Sequence, residues 1–314
     1  MLRTIILLAI ALIPSLARAQ SCSFSVSNMN FSSVDTLSGS QTNSTATISM
    51  DCLGLVGQRI LICPNLGAGT GGASSATARQ MLNGANSLNY QLYSDSARSV
   101  VWGTYTWAYA SRAPALALTP NILGAASGTA TIYGTVFGRQ GTTPPGSYLS
   151  AFSGAYTEFR YRYSIGNNCD SGFGILAPSP SFTVSATVAP NCLVSTQNID
   201  FGSTGVLDAN VDATGQISVT CTPAAAYSVS LNGGTTSSPP TARKMSKGAE
   251  TVTYGLYRDA GRTLPWGDSS TPGSTVPGTG SGVAQNLTVY GRVPPQATPS
   301  AGVYTDTVVV TVTY

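Results

Sequence analysis

The feature that most restricts this chain is that it carries one sequence pattern twice. Cys22-x8-Phe31 recurs as Cys192-x8-Phe201, and the next cysteines, Cys52 and Cys221, follow at nearly equal distances. Met81 to Gly103 (MLNGANSLNYQLYSDSARSVVWG) aligns without a gap with Met245 to Gly267 (MSKGAETVTYGLYRDAGRTLPWG). Tyr90 pairs with Tyr254, Tyr93 with Tyr257, Asp95 with Asp259, Arg98 with Arg262 and Trp102 with Trp266. Tyr133-Gly134 matches Tyr290-Gly291, and Gly146-x-Tyr148 matches Gly302-x-Tyr304. Two related domains therefore meet near residue 180. With 34 Gly, 18 Pro and abundant Ser, Thr, Val and Tyr, both suit short strands joined by tight turns. No amphipathic helix of useful length is visible, so the expected class is all-β.

The first residues set the compartment. Arg3 precedes an apolar run from Ile5 to Ile13, and Ala17-Arg18-Ala19 is a small-x-small cleavage site. Residues 1–19 read as a secretory signal peptide. The run is shorter than the roughly 20 residues that span a bilayer, and no later stretch approaches that length. The formal charge is +3, or +1 without Arg3 and Arg18, which argues against nucleic acid as a partner.

Six cysteines in an exported chain allow fifteen pairings. Cys192 has only Cys221 within its own copy, so the repeat pairs Cys22 with Cys52 and leaves Cys63 for Cys169. A metal site is a weak reading, because the chain has no histidine and no CxxC.

Between the two copies lies Phe182-Thr-Val-Ser-Ala-Thr-Val188, bracketed by Pro180 and Pro190. Phe182, Val184, Ala186 and Val188 fall on one face and the hydroxyl residues on the other, the pattern of a half-buried strand. Neither copy has a second such strand. The first can use this one, and the second is left without. At the end of the chain, Val308, Val310, Val312 and Tyr314 alternate in the same way and read as a core strand beside an open edge.

The paired Cys-x8-Phe, the MxxGxxxxxYxLYxD…WG block and the closing Gly-x-Tyr with its Val/Thr strand resemble the spore coat U domain. This is the building block of archaic chaperone–usher pili of the Csu type. The resemblance covers the mature chain twice and implies two immunoglobulin-like β-sandwiches, residues 20–189 and 190–314. Such subunits lack a final strand, which a neighbour donates by β-augmentation. Residues 182–188 would complete the first domain in cis, and the second would accept a strand. Only Gln20 and Ser21 precede Cys22 in the mature chain, so this reading gives an accepting subunit at a pilus tip. The implied partners are a periplasmic chaperone, an outer-membrane usher, the next pilus subunit and an abiotic or host surface; no cofactor is implied. The alternative is a self-contained secreted structural protein.

Three apolar segments belong to the first copy alone. Leu53, Leu55 and Val56 stand where the second copy has Thr222-Pro-Ala-Ala-Ala226. TYTWAYASRAPALALTPNILGAAS follows Gly103 and contains Tyr105, Trp107, Tyr109, Leu116, Leu118, Ile122 and Leu123. Phe173, Ile175 and Leu176 follow Cys169. In a seven-strand sandwich these are the B–C, D–E and F–G connections of one pole, where an exposed apolar patch marks a contact site. Thr104 to Tyr109 also reads as an extra strand that buries its rings, so Trp107 is open between core and surface. Trp102 recurs in both copies and reads as core, and Arg98 with Asp95 reads as a shared structural turn.

Enzymatic readings find little support. Without histidine there is no ready general base, and no nucleophile motif is visible. Glu158 and Asp170 are in principle a glycosidase pair, but Glu158 borders an alternating strand face and reads as solvated. A carbohydrate-binding tip is the closer rival, with Trp and Tyr for stacking and Asn167, Asn168 and Asp170 for polar contacts.

Overall fold

The structure, a computed structural model, describes residues 20–106, 112–270 and 274–314. The signal-peptide reading of residues 1–19, and the positions of Trp107 and Tyr109, lie outside the described residues. Among the described residues no helix is long and apolar enough to cross a membrane.

The first half contains β1 (Ser21–Val26), β2 (Met29–Val34), β3 (Thr42–Leu53), β4 (Ile60–Pro64), β5 (Ala73–Ser75), β6 (Ala78–Asn83) and β7 (Asn86–Tyr93). It continues through β8 (Leu116–Leu118), β9 (Ala125–Val136), β10 (Gly146–Phe152), β11 (Phe159–Tyr163), β12 (Ile175–Leu176) and β13 (Phe182–Val188). The second half has β14 (Cys192–Thr196), β15 (Val211–Cys221), β16 (Ala226–Leu231), β17 (Arg243–Lys247), β18 (Glu250–Tyr257), β19 (Val276–Thr279), β20 (Gln285–Val293) and β21 (Val310–Thr313). In the first half one sheet runs β1-β3-β9-β7-β6-β10-β13-β2 and the facing sheet β12-β11-β4-β8. In the second half the sheets are β14-β15-β20-β18-β17 and β19-β16-β21. The chain is thus all-β, and each half encloses its own apolar core.

Alternation places the cores. In β3, Ala46, Ile48, Met50 and Cys52 point inward and the residues between them point out. All three expected disulfides are present: Cys22–Cys52, Cys63–Cys169 and Cys192–Cys221. Cys63 and Cys169 close the outer face of the smaller sheet, where they pack with Leu61 and Ala113 in a separate small cluster. That cluster is covered by part of the segment inserted after Gly103. The described start of this segment does not form the expected strand: Tyr105 and Thr106 lie in a turn.

The repeated block does the same structural work in both halves. Trp102 and Trp266 are buried, and their indole N–H groups donate to the carbonyls of Pro64 at 2.7 Å and Val229 at 3.0 Å. Asp95 accepts the N–H groups of Ser99 and Val100, and Asp259 those of Thr263 and Leu264. Each turn forces its arginine to φ 56°, a left-handed conformation that a side chain disfavours. Arg98 is held there by donating to Gly134 O and lying over Tyr133, and Arg262 by donating to Gly291 O and lying over Tyr290.

A second repeated arginine lies two residues ahead of the block. Arg79 and Arg243 are fully buried. Arg79 donates to the carbonyls of Leu66, Gly67 and Trp102, and Arg243 to those of Leu231, Asn232, Pro240 and Trp266. These guanidinium groups tie the β4 and β16 exits to the tryptophan segment. Buried arginine survives on such terms because each of its nitrogens finds an acceptor, that of Arg79 Nη1 being the Gln91 side chain.

Candidate functional site

Two places differ between the halves, and both follow from the sequence. The first is the slot of β13. This strand pairs antiparallel with β10, from Phe182 opposite Phe152 to Val188 opposite Gly146, and parallel with β2. Phe182, Val184, Ala186 and Val188 are at most 3% exposed. The Phe182 ring stacks on Phe152 with centroids 4.6 Å apart. The first half is therefore completed by its own strand.

In the second half, the counterparts of β2 and β10 are residues 199–204 and 302–308. Neither is assigned as a strand, and one isolated bridge, Ser246 to Thr305, is what residues 302–308 retain. Ile199, Phe201, Tyr304 and Val308 are only half-buried, while Met29, Phe31, Tyr148 and Phe152 in the first half are buried. Without a strand between them, both flanking segments lose their ladders and their apolar side chains stand open.

The expected acceptor edge needs adjusting. Val308 lies on it, but the edge begins at Gly302. Val310 and Val312 belong to β21, which pairs with β16 on one side. Among the described residues, the other side of β21 carries no paired strand, where β12 lies on β11 in the first half. Tyr314 follows β21 and is 55% exposed.

Asp306 sits on this edge where the first half has Ser150. Its carboxylate accepts Thr235 N–H and O–H and the Tyr254 hydroxyl. Burial alone would raise its pKa, but these hydrogen bonds outweigh burial and hold it below the usual carboxylate value. The Tyr254 hydroxyl is pushed up, by burial first and then by the Asp306 contact. A depressed carboxyl pKa contributes stability above the unfolded-state value, about 3.9, and that contribution is lost as pH falls through the folded value. Asp306→Asn should therefore weaken the second half at neutral pH and lessen its acid sensitivity below about pH 4. Thermal melts from pH 2 to 7 check this; a parallel pair of curves would remove Asp306 from the account.

The second place is a pole of the first half. Tyr163 is in register with Ile60, Ile60 with Leu118, and Leu53 with Ala125. Three turns therefore leave the sandwich at one end: 54–59, 119–124 and 164–168. They are bonded to one another. Gly54 N–H donates to Gly124 O at 2.9 Å, Gly57 N–H to Pro120 O at 3.0 Å, and Leu55 N–H to the Tyr163 hydroxyl at 2.7 Å. Arg59 fixes the third turn by donating to the carbonyls of Ser164 and Gly166 and to Asn167 Oδ1. Leu55, Val56, Ile122, Leu123 and Ile165 project into solvent from this frame. Ile122 is 87% exposed, and Ile165 is fully so.

Of the residues expected in this patch, Leu55, Val56, Ile122 and Leu123 are on the pole, and half-exposed Leu53 is at its rim. Leu116 and Leu118 are on β8 and pack against the main core, since that short strand alternates inward like its neighbours. Ile175 and Leu176 form the exposed edge strand β12 alongside Arg160 and Tyr161, so they flank the sheet and do not cap it. Phe173 is 75% exposed in the turn before β12, and its carbonyl accepts Arg162. Tyr105 lies toward the other end of β11. Its hydroxyl donates to Glu158 and accepts from Arg160, so burial and the Glu158 contact both raise its pKa. Ile165 escaped the sequence reading because it stands alone between Ser164 and Gly166, with no neighbouring apolar residue to form a run.

Of the polar residues of the sugar-binding reading, Asn167 is held by Arg59 through its Oδ1, and Asn168 accepts from Arg162 through its carbonyl and from Asp170 N–H through its side chain. Glu158, from the glycosidase pair, is engaged by Tyr105 and Arg160.

The two repeated sandwiches are matched by a known family. The Spore Coat Protein U domain matches residues 9–153 and again 179–311, and the protein belongs to that family. Protein U of Myxococcus xanthus is 34% identical over 116 residues, which are 34% of this chain and 63% of that protein. The chain thus spans just under two thirds of that relative. Among solved structures, the CsuC–CsuE chaperone–tip adhesion subunit pre-assembly complex from archaic chaperone–usher Csu pili of Acinetobacter baumannii matches with TM-score 0.53 and 18% identity. That match covers 94% of this chain and 100% of the other. The CupB6 tip adhesin of Pseudomonas aeruginosa matches with TM-score 0.40 and 14% identity, over 93% of both chains. At 18% identity the likeness to the Csu complex is one of fold.

Proposed function

We propose that this protein is the surface-binding tip subunit of a chaperone–usher pilus, with the apolar pole of the first domain as its contact surface. The observation that carries the reading is the pole itself: three hydrogen-bonded turns that present aliphatic side chains to water. A folded chain leaves such a cluster exposed when it has a contact to make. The pole is also on the outer end. β9 runs away from it to Val136, and the connection beyond meets the second domain, where Gly141 O lies so near Gly282 that an added Cβ would fall 2.1 Å from it.

The two slots supply the rest. The first domain's slot is occupied in cis, so only the second domain can take a strand from a chaperone and then from the next subunit. The solved Csu complex, a tip subunit with its chaperone, supports the chaperone-bound step of this reading. Export to the cell surface belongs to this reading.

Contact by apolar area is worth roughly 25 cal/mol per Å² removed from water and involves little charge. Attachment should therefore depend weakly on salt. Many tips on one cell would multiply a small affinity into firm adhesion. The expected result is that Leu55→Ser, Ile122→Ser and Ile165→Ser together abolish adhesion of piliated cells to polystyrene while pilus number is unchanged. A variant that assembles and still adheres like the parent would sink the proposal. Inhibition of the parent by a free monosaccharide would favour the sugar-binding alternative.

A further inference from the structure

The two slots are not equivalent, and the differences point to the strand that the second one accepts. β13 supplies the register by repeat: an incoming strand running antiparallel to residues 302–308 would set successive inward residues opposite Val308, Asp306, Tyr304 and Gly302. In the first domain those places hold Phe182, Val184, Ala186 and Val188, opposite Phe152, Ser150, Tyr148 and Gly146.

At the Tyr304 place the anchor and the neighbouring rings are kept, while Lys247 lies over the Tyr304 ring and Glu250 meets its hydroxyl. Tyr148 is anchored through its hydroxyl to Pro144 O at 2.8 Å, and Tyr304 through its own to Ser300 O at 2.8 Å. The neighbouring rings also repeat, with Phe31 against Tyr90 at 6.4 Å and Phe201 against Tyr254 at 6.0 Å, both edge-on. A tyrosine fixed at its far end beside a fixed phenylalanine leaves room for alanine, as it does at Ala186. At the Val308 place the surroundings change. Phe182 stacks on a phenylalanine, but its equivalent would meet only a valine, and the space of one ring is freed.

We propose that the open slot selects its partner by side-chain size, taking an alternating strand with a bulky aromatic opposite Val308 and a residue no larger than alanine or serine opposite Tyr304. This rests on the strand-accepting reading above. The occupant is an extended segment of another polypeptide, since β13 is already engaged on both edges. A good filling at one site and a strict limit at the other would give the slot selectivity by shape.

The test uses the full chain and labelled ten-residue peptides with the sequence of residues 181–190, followed by fluorescence polarisation. The parent peptide should bind. Its Phe182→Trp form should bind at least as tightly, and its Phe182→Ala form about tenfold more weakly. Its Ala186→Leu form should also lose about tenfold or more, because overfilling a packed site is costly. In the protein, Val308→Phe should rebuild the first-domain slot and make the Trp peptide the weaker ligand. Val308→Ala should shift preference further toward Trp. Equal affinity for all peptides, or tight binding of the leucine form, would overturn the size rule while leaving strand acceptance intact. No binding of any peptide would overturn both.

Discussion

A fragment of residues 20–189 should unfold in a single cooperative transition, and one ending at residue 179 should not reach the same fold. The shorter chain lacks β13 and with it Phe182, Val184, Ala186 and Val188, all buried. Burying the three larger side chains is worth about 1.5–3 kcal/mol each, or on the order of 5–9 kcal/mol together. A domain of this size is stable by roughly 5–15 kcal/mol. The loss also strips the inner edges of β10 and β2, which β13 joins. In the second domain, where among the described residues no strand lies between them, the corresponding residues 199–204 and 302–308 do not form strands. Calorimetry and near-ultraviolet circular dichroism of the two fragments decide the matter. Equal melting temperatures would mean that β13 is an ornament on a fold already complete.

How far the sequence revealed this arrangement depends on how each residue carries its information. Period-two alternation marked Phe182 to Val188 because every second side chain is buried, and the repeat alone fixed the cysteine pairing. Trp102 was legible as core because its partner Trp266 recurs in the other domain. The pole was legible only in part. Leu116 and Leu118 were expected at the surface since they lie in an apolar run, yet β8 pairs with β4 and turns them inward. Exposure at the pole is decided by which strand ends share a register, and that is a tertiary fact. Ile165 illustrates the converse: one isoleucine in a polar turn leaves no pattern, and only the pairing of Tyr163 with Ile60 puts its turn at the same end as that of Leu55. The acceptor edge was placed several residues late because Val310 and Val312 alternate as well as Tyr304 and Val308 do. Alternation says that a strand has a buried face and does not say which sheet it enters.

Arg79 was the least legible residue and should be among the most costly to replace. A charged residue two positions ahead of a repeated block reads as a solvated face, whereas here it is fully buried. Its guanidinium donates to the carbonyls of Gly67 at 2.8 Å, Leu66 at 2.8 Å and Trp102 at 2.7 Å. Arg79→Met fills a similar volume but leaves those carbonyls in the core without their donors. Each buried group left unsatisfied costs about 1–3 kcal/mol, so a loss of roughly 3–5 kcal/mol is expected once relaxation is allowed for. Arg79→Lys should recover only part of it, because a compact ammonium cannot span acceptors arranged for a planar fork. The expected signature is a lower urea midpoint for the first domain with an unchanged slope. Arg243→Met should do the same to the second domain, whose arginine bonds the carbonyls of Leu231, Asn232 and Trp266. A loss below about 1 kcal/mol at both sites would show that water or a shifted backbone replaces the fork, and that the repeated arginine is not what joins the tryptophan segment to the β4 and β16 exits.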